Sequence, residues 1–361
     1  MKSRLITTLM LLCSVVAMAQ TTITTYAPGV SSEGAAYYLP KTVINISITT
    51  EKTTYVPGEL CQYADRYLRI NNVASKEDVS HTITSVVLST EGLPDESKLY
   101  HILFSANSVA PLVTMTESGI LHAINAPVPA PHPARPAVSS EAPIQKKTLS
   151  PRSYMTEEML MTGSKAKLAE LVAKEIYNIR ESKNLIVRGQ NEFMPKDAES
   201  LQIILAGLQE QEEVFTQMFT GVTTTETTTQ TYQVIPSESA EHIVLGRFSR
   251  KLGMLHGDDL AGSPIYLDVK CKQAIPEPTA ETEMVKVKKV KSDNTQDGLV
   301  YNIPGKADVK VYTNTQVLAE EMLTLGQFGK TETLSSALLT KKKNVKVVLD
   351  PVTGALLKVA E

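Results

Sequence analysis

Tryptophan is absent from this 361-residue chain, and aromatic residues of every kind make up only 5% of it. That poverty removes the usual stacking platform of a sugar-binding site and argues against the two aromatic girdles of an outer-membrane barrel. Cysteine is scarce too. Cys13, Cys61 and Cys271 stand far apart, and such isolated thiols supply neither a disulfide scaffold nor a zinc ribbon. No sign of charge dominates: 36 Lys+Arg against 39 Asp+Glu leave a net charge of −3, with no pull toward nucleic acid or anionic lipid. After residue 19, no apolar run approaches the ~20 residues that a helical membrane span needs. Three motifs with known chemistry are also missing: H-E-x-x-H, G-x-S-x-G and a Gly-rich phosphate loop.

What is present begins with the first nineteen residues. Lys2 and Arg4 form a basic start, residues 5–16 are apolar, and Ala17-Met18-Ala19 precedes Gln20. That is the grammar of a secretory signal peptide with cleavage after Ala19. A membrane anchor is the weaker reading, because Thr7, Thr8 and Ser14 interrupt a run already too short. A lipoprotein signal at Cys13 meets bulky Leu12 where a small residue belongs. The expectation is an exported protein, in the periplasm or on the periplasmic face of an outer membrane.

Hydrophobic residues make up 42% of the chain, enough for a substantial core. The hydropathy pattern predicts an α+β fold with two β-rich parts, a Pro-rich linker and a helical hairpin. Residues 20–126 form the first β-rich domain, where Ile44, Ile46 and Ile48 alternate with Asn45 and Ser47. One short amphipathic helix follows Pro57-Gly58, carrying Leu60, Cys61, Ala64, Tyr67 and Leu68. Further strands are expected at 82–89, 99–105 and 112–116.

Residues 127–151 hold seven prolines and read as an extended linker or loop, with a peptide-docking ligand as the functional alternative. Residues 152–220 form the hairpin, with Leu168, Leu171, Val172, Ile176 and Ile179 on one face. Glu170 is placed to pair with Lys174, and Asp197 to cap the second helix. That helix carries Leu201, Ile204, Leu205, Leu208, Phe215, Met218 and Phe219 as its apolar stripe. Residues 221–361 return to β structure. A threonine-rich strand at 223–229 comes first, then strands at 243–248, 265–272, 284–290, 307–312 and 345–349. Asp350-Pro351-Val352-Thr353-Gly354 turns the last of these into a hairpin with 356–359.

Several short motifs carry a family resemblance. Tyr37-Tyr38-Leu39-Pro40-Lys41-Thr42, Pro57-Gly58 and Tyr63-Ala64-Asp65-Arg66-Tyr67-Leu68 open it. Asp259-Leu260-Ala261-Gly262-Ser263-Pro264, Tyr301-Asn302-Ile303-Pro304-Gly305, Gln327-Phe328-Gly329 and Thr353-Gly354-Ala355-Leu356 follow in order. Together they resemble a Bacteroidales family of exported cell-envelope proteins of unknown function. The resemblance implies a Gram-negative envelope and supplies no activity, cofactor or catalytic residue.

Three constellations invite chemistry. Ser164-Lys165-Ala166-Lys167, Ser292-Asp293-Asn294 and Lys330-Thr331 follow the chain order of penicillin-recognising serine acyl hydrolases, with Ser164 as nucleophile and Lys167 as its base. The base must be desolvated beside the serine, yet these lysines sit at a polar helix start, and Glu332 stands where a glycine is needed. His256-Gly257-Asp258-Asp259 offers metal-binding atoms, but reads better as a polar turn. The Val–Lys alternation over 285–291 reads as a strand whose outward lysines discourage aggregation, with an anionic partner as the alternative.

The balance favours a non-catalytic exported scaffold or binding module that meets other envelope proteins, with no nucleic acid, transmembrane span, metal or cofactor. A serine acyl hydrolase and a glycan-binding module are the alternatives. Two local expectations complete the reading. Cys61 and Cys271 are expected as separate, buried core thiols, since each lies on an apolar face. Tyr37-x-Leu-Pro40 and Tyr301-x-Ile-Pro304 echo each other, which predicts two prolines at strand entries and two similarly buried tyrosines.

Overall fold

Alternating β-branched residues build the central strand of the molecule, β2 (Gly34–Val56), 23 residues long. It belongs to a computed structural model that describes residues 30–31, 34–103, 112–127, 150–190, 197–272, 298–335 and 345–360. The 26-residue β3 (Asp78–Leu103) pairs with β2 along nearly its whole length. On its other side β2 carries β6 (Val222–Val234) and, at its start, the two-residue β1 (Val30–Ser31). A second sheet runs in the order β11 (Val317–Ser335), β10 (Gly298–Thr313), β9 (Ser263–Lys272), β7 (Ala240–Ser249), β8 (Gly253–Leu255). The third runs β13 (Leu356–Ala360), β12 (Lys346–Leu349), β5 (Leu121–Ile124), β4 (Val113–Met115). Among the described residues every ladder between these strands is antiparallel.

The β-rich α+β architecture read from the sequence is the one observed. The two β-rich stretches are interleaved across the helices, since β6 lies on β2 and β12 lies on β5. Strand β11 lies where the local sequence marks no strand. Leu318, Ala319, Glu320, Glu321, Met322 and Leu323 are good helix formers, and the ladder to β10 overrides that local preference.

Among the described residues there are three large cores and one small cluster of Ala123, Ala126 and Val348. Ile44, Ile46 and Ile48 of β2 meet Ile265, Leu267 and Val269 of β9 and Ala307, Val309 and Val311 of β10. Further along the same strands, Tyr37, Leu39, Leu299 and Val300 pack against Leu121, Ile124, Val347 and Leu349 of the third sheet. A helical core gathers Leu60, Ala64, Met159, Val172, Ile176, Phe215 and Phe219.

The helical core is built from α1 (Ala64–Leu68), α2 (Glu157–Met161), α3 (Lys165–Val187) and α4 (Ala198–Thr220). Asp197 caps α4 as its position predicts, accepting the Ser200 N–H at 2.7 Å. Glu212 ties α4 to α3 through Arg180 Nε at 2.6 Å and Lys183 Nζ at 2.7 Å. The expected partner of Glu170 changes: Lys167, three residues before it, stands 3.1 Å away. The short helix after Pro57-Gly58 is split into a 3-10 turn at Cys61–Tyr63 and then α1. The Leu60 N–H donates to the Met218 carbonyl at 2.8 Å, which anchors the turn to α4. Among the described residues no helix is long and apolar enough to cross a membrane.

Both cysteines depart from the expected burial, although both are free thiols. Cys61 is half-buried, because the 3-10 turn gives the innermost place to its neighbour Leu60. Cys271 is exposed, because β9 runs past the core edge and leaves Lys270, Cys271 and Lys272 in solvent.

The two prolines also depart from expectation. Neither precedes a strand: Pro40 lies inside β2 and Pro304 inside β10, each at a break in register. Proline is tolerated at such bulges, where a ladder bond is already lost. Both bulges fall where a strand passes from one core to the next, so the shared device is a crossing rather than an entry. Tyr37 is fully buried, whereas Tyr301 is half-buried and reaches Glu332.

Beyond that crossing, the start of β10 pairs with β11 on one edge, and among the described residues no strand lies on its other edge, since the β9 ladder begins at Lys306. Its open backbone groups are answered by side chains and turns. The buried Tyr37 hydroxyl donates to the Val300 carbonyl at 2.9 Å and accepts the Val300 N–H at 2.8 Å. The Asn302 N–H donates to the Gly354 carbonyl at 2.9 Å, and its side-chain amide donates to the Thr353 and Pro40 carbonyls. Thr42 Oγ1 donates to the Val352 carbonyl and accepts the Gly326 N–H, each at 3.0 Å. Gln327 brackets Thr42, accepting its N–H and donating to its carbonyl, each at 2.8 Å. A side chain at Gly326 would fall 2.5 Å from the Thr353 carbonyl oxygen, so only glycine admits this approach.

Replacing Tyr37 by Phe strips both Val300 groups of their partner, and should cost about 1–3 kcal/mol in denaturant unfolding. Burial holds the Tyr37 phenol well above its ordinary 10.0, against the opposing Val300 hydrogen bond. Its contribution is therefore complete below pH 10.0 and is lost as pH climbs toward the raised folded value. Unfolding midpoints taken across that alkaline range should fall more steeply for the natural chain than for Tyr37→Phe.

Candidate functional site

The serine set does not come together. Ser164 precedes α3 without a side-chain capping bond, and Lys167 directs its amine to Glu170, with half of its side chain in solvent. Lys165 reaches Glu59 at 3.6 Å. Neither lysine has the desolvated place beside Ser164 that a base for its hydroxyl requires. Lys330 and Thr331 lie exposed on β11, in a different body of the molecule, and residues 292–294 fall outside the described residues.

His256 and Asp258 stand 3.2 Å apart, with side chains 85% and 95% exposed. The Asp259 N–H closes on the His256 carbonyl at 3.0 Å, and Arg247 fastens the turn through the Gly257 and Gly262 carbonyls. The stretch is a stapled turn. Among the described residues no three His, Cys, Asp or Glu side chains group to hold a metal ion. The Val–Lys alternation at 285–291, the strand expected at 284–290 and most of the Pro-rich stretch lie outside the described residues.

The motifs of the family resemblance do come together, but at structural joints. Pro40, Thr42, Asn302, Gln327, Thr353 and Gly354 make the junction of the three sheets. Gly58 and Ala64 sit in the helical body, where a side chain at Gly58 would collide with the Met218 carbonyl.

A different place has the features of a site: the outer face of the second sheet. Period-two alternation sends Ile265, Leu267, Val269, Val309 and Val311 to the core, so the residues between them face outward. Across the β9–β10 ladder Tyr266 stands opposite Tyr312, Asp268 opposite Lys310, and Lys270 opposite Asp308. Lys310 also stands opposite Glu320 of β11. The result is a checkerboard of charge. Lys270 pairs with Glu241 at 3.1 Å, Lys272 with Asp308 at 2.5 Å and Lys310 with Glu320 at 3.7 Å. A cleft of about 420 Å³ opens on this face, lined by Asp268, Lys270, Asp308, Lys310 and Tyr312, and closed by the turn into β11.

The floor of the cleft is held under constraint. Asp268 is buried, and its Oδ1 accepts the His242 backbone N–H at 2.8 Å and the Tyr312 hydroxyl at 3.1 Å. His242 adopts a left-handed backbone, φ 59°, where the β7–β9 register breaks. A non-glycine residue pays for that conformation, and the Asp268 bond helps to hold it. The His242 ring meets Tyr266 and Tyr312 edge-on at 5.8 and 6.4 Å, and the two tyrosine rings lie 5.5 Å apart. Desolvation and donation to the Asp268 carboxylate raise the Tyr312 phenol above its ordinary value. Neither strand reveals this cluster by its own sequence. Its signal is the mirrored pair Tyr-x-Asp-x-Lys at 266–270 and Asp-x-Lys-x-Tyr at 308–312, which becomes a matched face only when the strands pair antiparallel.

Comparison with known proteins identifies the lineage. A family model described as a domain of unknown function (DUF4831) matches residues 33–357, and the chain belongs to that family. No curated protein and no solved structure matches the chain.

Ultraviolet titration should place Tyr312 ionisation above the ordinary 10.0, identified as the signal missing from Tyr312→Phe. Asp268→Asn removes the carboxylate charge, so the Tyr312 midpoint should move down toward that ordinary value.

Proposed function

We propose that this member of the DUF4831 family is a non-catalytic, exported envelope protein that works as a binding module through protein contacts. The seat of binding is the cleft on the outer face of the second sheet. One observation carries the reading: the left-handed His242, held by the buried Asp268 carboxylate beneath that cleft. Backbone strain is retained where the surroundings over-determine it, and such places concentrate at binding sites. Lys270, Asp308, Lys310 and Glu320 of the cleft lining are each paired with a charge of opposite sign, and Asp268 is held by the His242 N–H and the Tyr312 hydroxyl, so the face presents a fixed pattern of charge rather than a free reactive group. A polar segment of another envelope protein, carrying both signs of charge, matches that pattern.

The leader grammar of residues 1–19 and the Bacteroidales resemblance support export to a Gram-negative envelope. A second reading, a glycan ligand, draws on the adjacent Tyr266 and Tyr312 rings beside acceptor carboxylates.

N-terminal sequencing of the chain from the periplasmic fraction should begin at Gln20; a chain retained in the cytoplasm with residues 1–19 would remove the export reading. In cross-linked envelope extracts the natural chain should capture a discrete protein that Lys310→Glu and Tyr312→Ala lose while keeping their circular dichroism. Saturable glycan binding abolished by Tyr312→Ala, with no protein captured, favours the second reading. A fluorescent fluorophosphonate should leave Ser164 unmodified; labelling there would restore the hydrolase.

A further inference from the structure

Strand β6 is an edge without the usual protection. Its ladder to β2 runs unbroken from Val56↔Val222 to Ile44↔Val234, and among the described residues no strand is bonded to its other side. Edges are normally blunted by proline, lysine, a bulge or a short length. β6 has 13 residues, Val-Thr-Thr-Thr-Glu-Thr-Thr-Thr-Gln-Thr-Tyr-Gln-Val, with no proline, no lysine and no break in register. Its one charge, Glu226, is paired with Lys52 at 3.1 Å. Residues 223–231 are all exposed. Polar threonines keep both faces soluble, yet they leave the row of outward N–H and C=O groups open.

The sequence of that edge is close to a palindrome about Thr228. Reading outward from it, Thr227 answers Thr229, Glu226 answers Gln230, Thr225 answers Thr231 and Val222 answers Val234, while Thr224 stands opposite Tyr232 and Thr223 opposite Gln233. We propose that β6 is a homodimer interface, pairing antiparallel with β6 of a second copy about a two-fold axis at Thr228. The two three-stranded β3-β2-β6 ribbons then join into one six-stranded sheet. At ~3.4 Å per residue the shared edge is about 44 Å long. It gains roughly a dozen backbone hydrogen bonds. The arrangement is isologous and closes on itself, so it ends at two copies rather than growing into a filament.

Charge selects the register. Centred on Thr228, each Glu226 meets Gln230 of the second copy. The Tyr232 hydroxyl already occupies the Gln230 Oε1 at 3.0 Å, which turns the Gln230 amide hydrogens toward an acceptor. Centred two residues away, on Glu226, the same edge would set carboxylate against carboxylate. An extended segment of some other protein lacks this reciprocity, and the near-palindrome favours a second copy of this chain.

Sedimentation velocity over a concentration series tests the pairing, and should show a monomer–dimer equilibrium. Thr228→Lys sets two ammonium groups against each other at the axis, and should raise the dissociation constant about tenfold. In a Cys61→Ser, Cys271→Ser background, Thr228→Cys should form a disulfide between copies under mild oxidation, with the linked peptide identified by mass spectrometry. Thr224→Cys, whose counterpart lies eight residues along the edge, should not. Circular dichroism of each variant establishes that the fold is retained. A chain that stays monomeric at every concentration overturns the proposal, as does a dimer that ignores Thr228→Lys and gives no Thr228→Cys cross-link. Capture of an extended peptide by monomeric β6 would overturn it in favour of a different occupant.

Discussion

Backbone groups taken out of water must find partners, and on the edge away from β11 the first residues of β10 have no described strand to supply them. β9 does not reach them. The Tyr37 hydroxyl fills the place of a missing strand at Val300, donating to and accepting from the same residue. The turn at Thr353-Gly354 does the same at Asn302. Because these substitutes come from the first and third sheets, satisfying one open edge joins all three sheets. Glycines at 92, 326 and 354 permit the close approach, since a side chain at any of them would meet backbone or ring atoms within 3 Å.

That joint explains what the short family motifs do. Tyr37, Pro40 and Thr42, then Asn302, then Gln327, then Thr353 and Gly354 are distant in sequence and adjacent in space. Their contacts close the three sheets on one another. The cleft beneath Tyr312 draws on none of them. In this chain the joint and the face proposed for binding are therefore built from separate residues.

The sequence conveyed the local physics well. Ile44, Ile46 and Ile48 mark a half-buried strand by their alternation, and Asp197 marks a helix start by its capping carboxylate. What is not legible in the sequence depends on partners far along the chain. The residues of β11 favour a helix locally and become a strand only because β10 lies beside them. Cys271 continues an apolar alternation, but burial ends where the opposing layer ends. Asp268 and Tyr312 read as ordinary outward positions until the ladder sets them opposite Lys310 and Tyr266.

The Tyr37–Val300 contact spans 263 residues, which orders events in time. As the chain emerges from its N-terminus, β2 and β3 can zip together early as a local hairpin. One face of that hairpin must then wait, with Tyr37 and Ile44 uncovered, until β10 and finally the turn at residue 353 exist. Closing so long a loop is slow, because its entropy cost precedes any contact that offsets it. Residues 300 and 352 therefore complete the surroundings of β2, and the Tyr37 face of the β2–β3 ribbon gains its cover only when that distant part of the chain is in place.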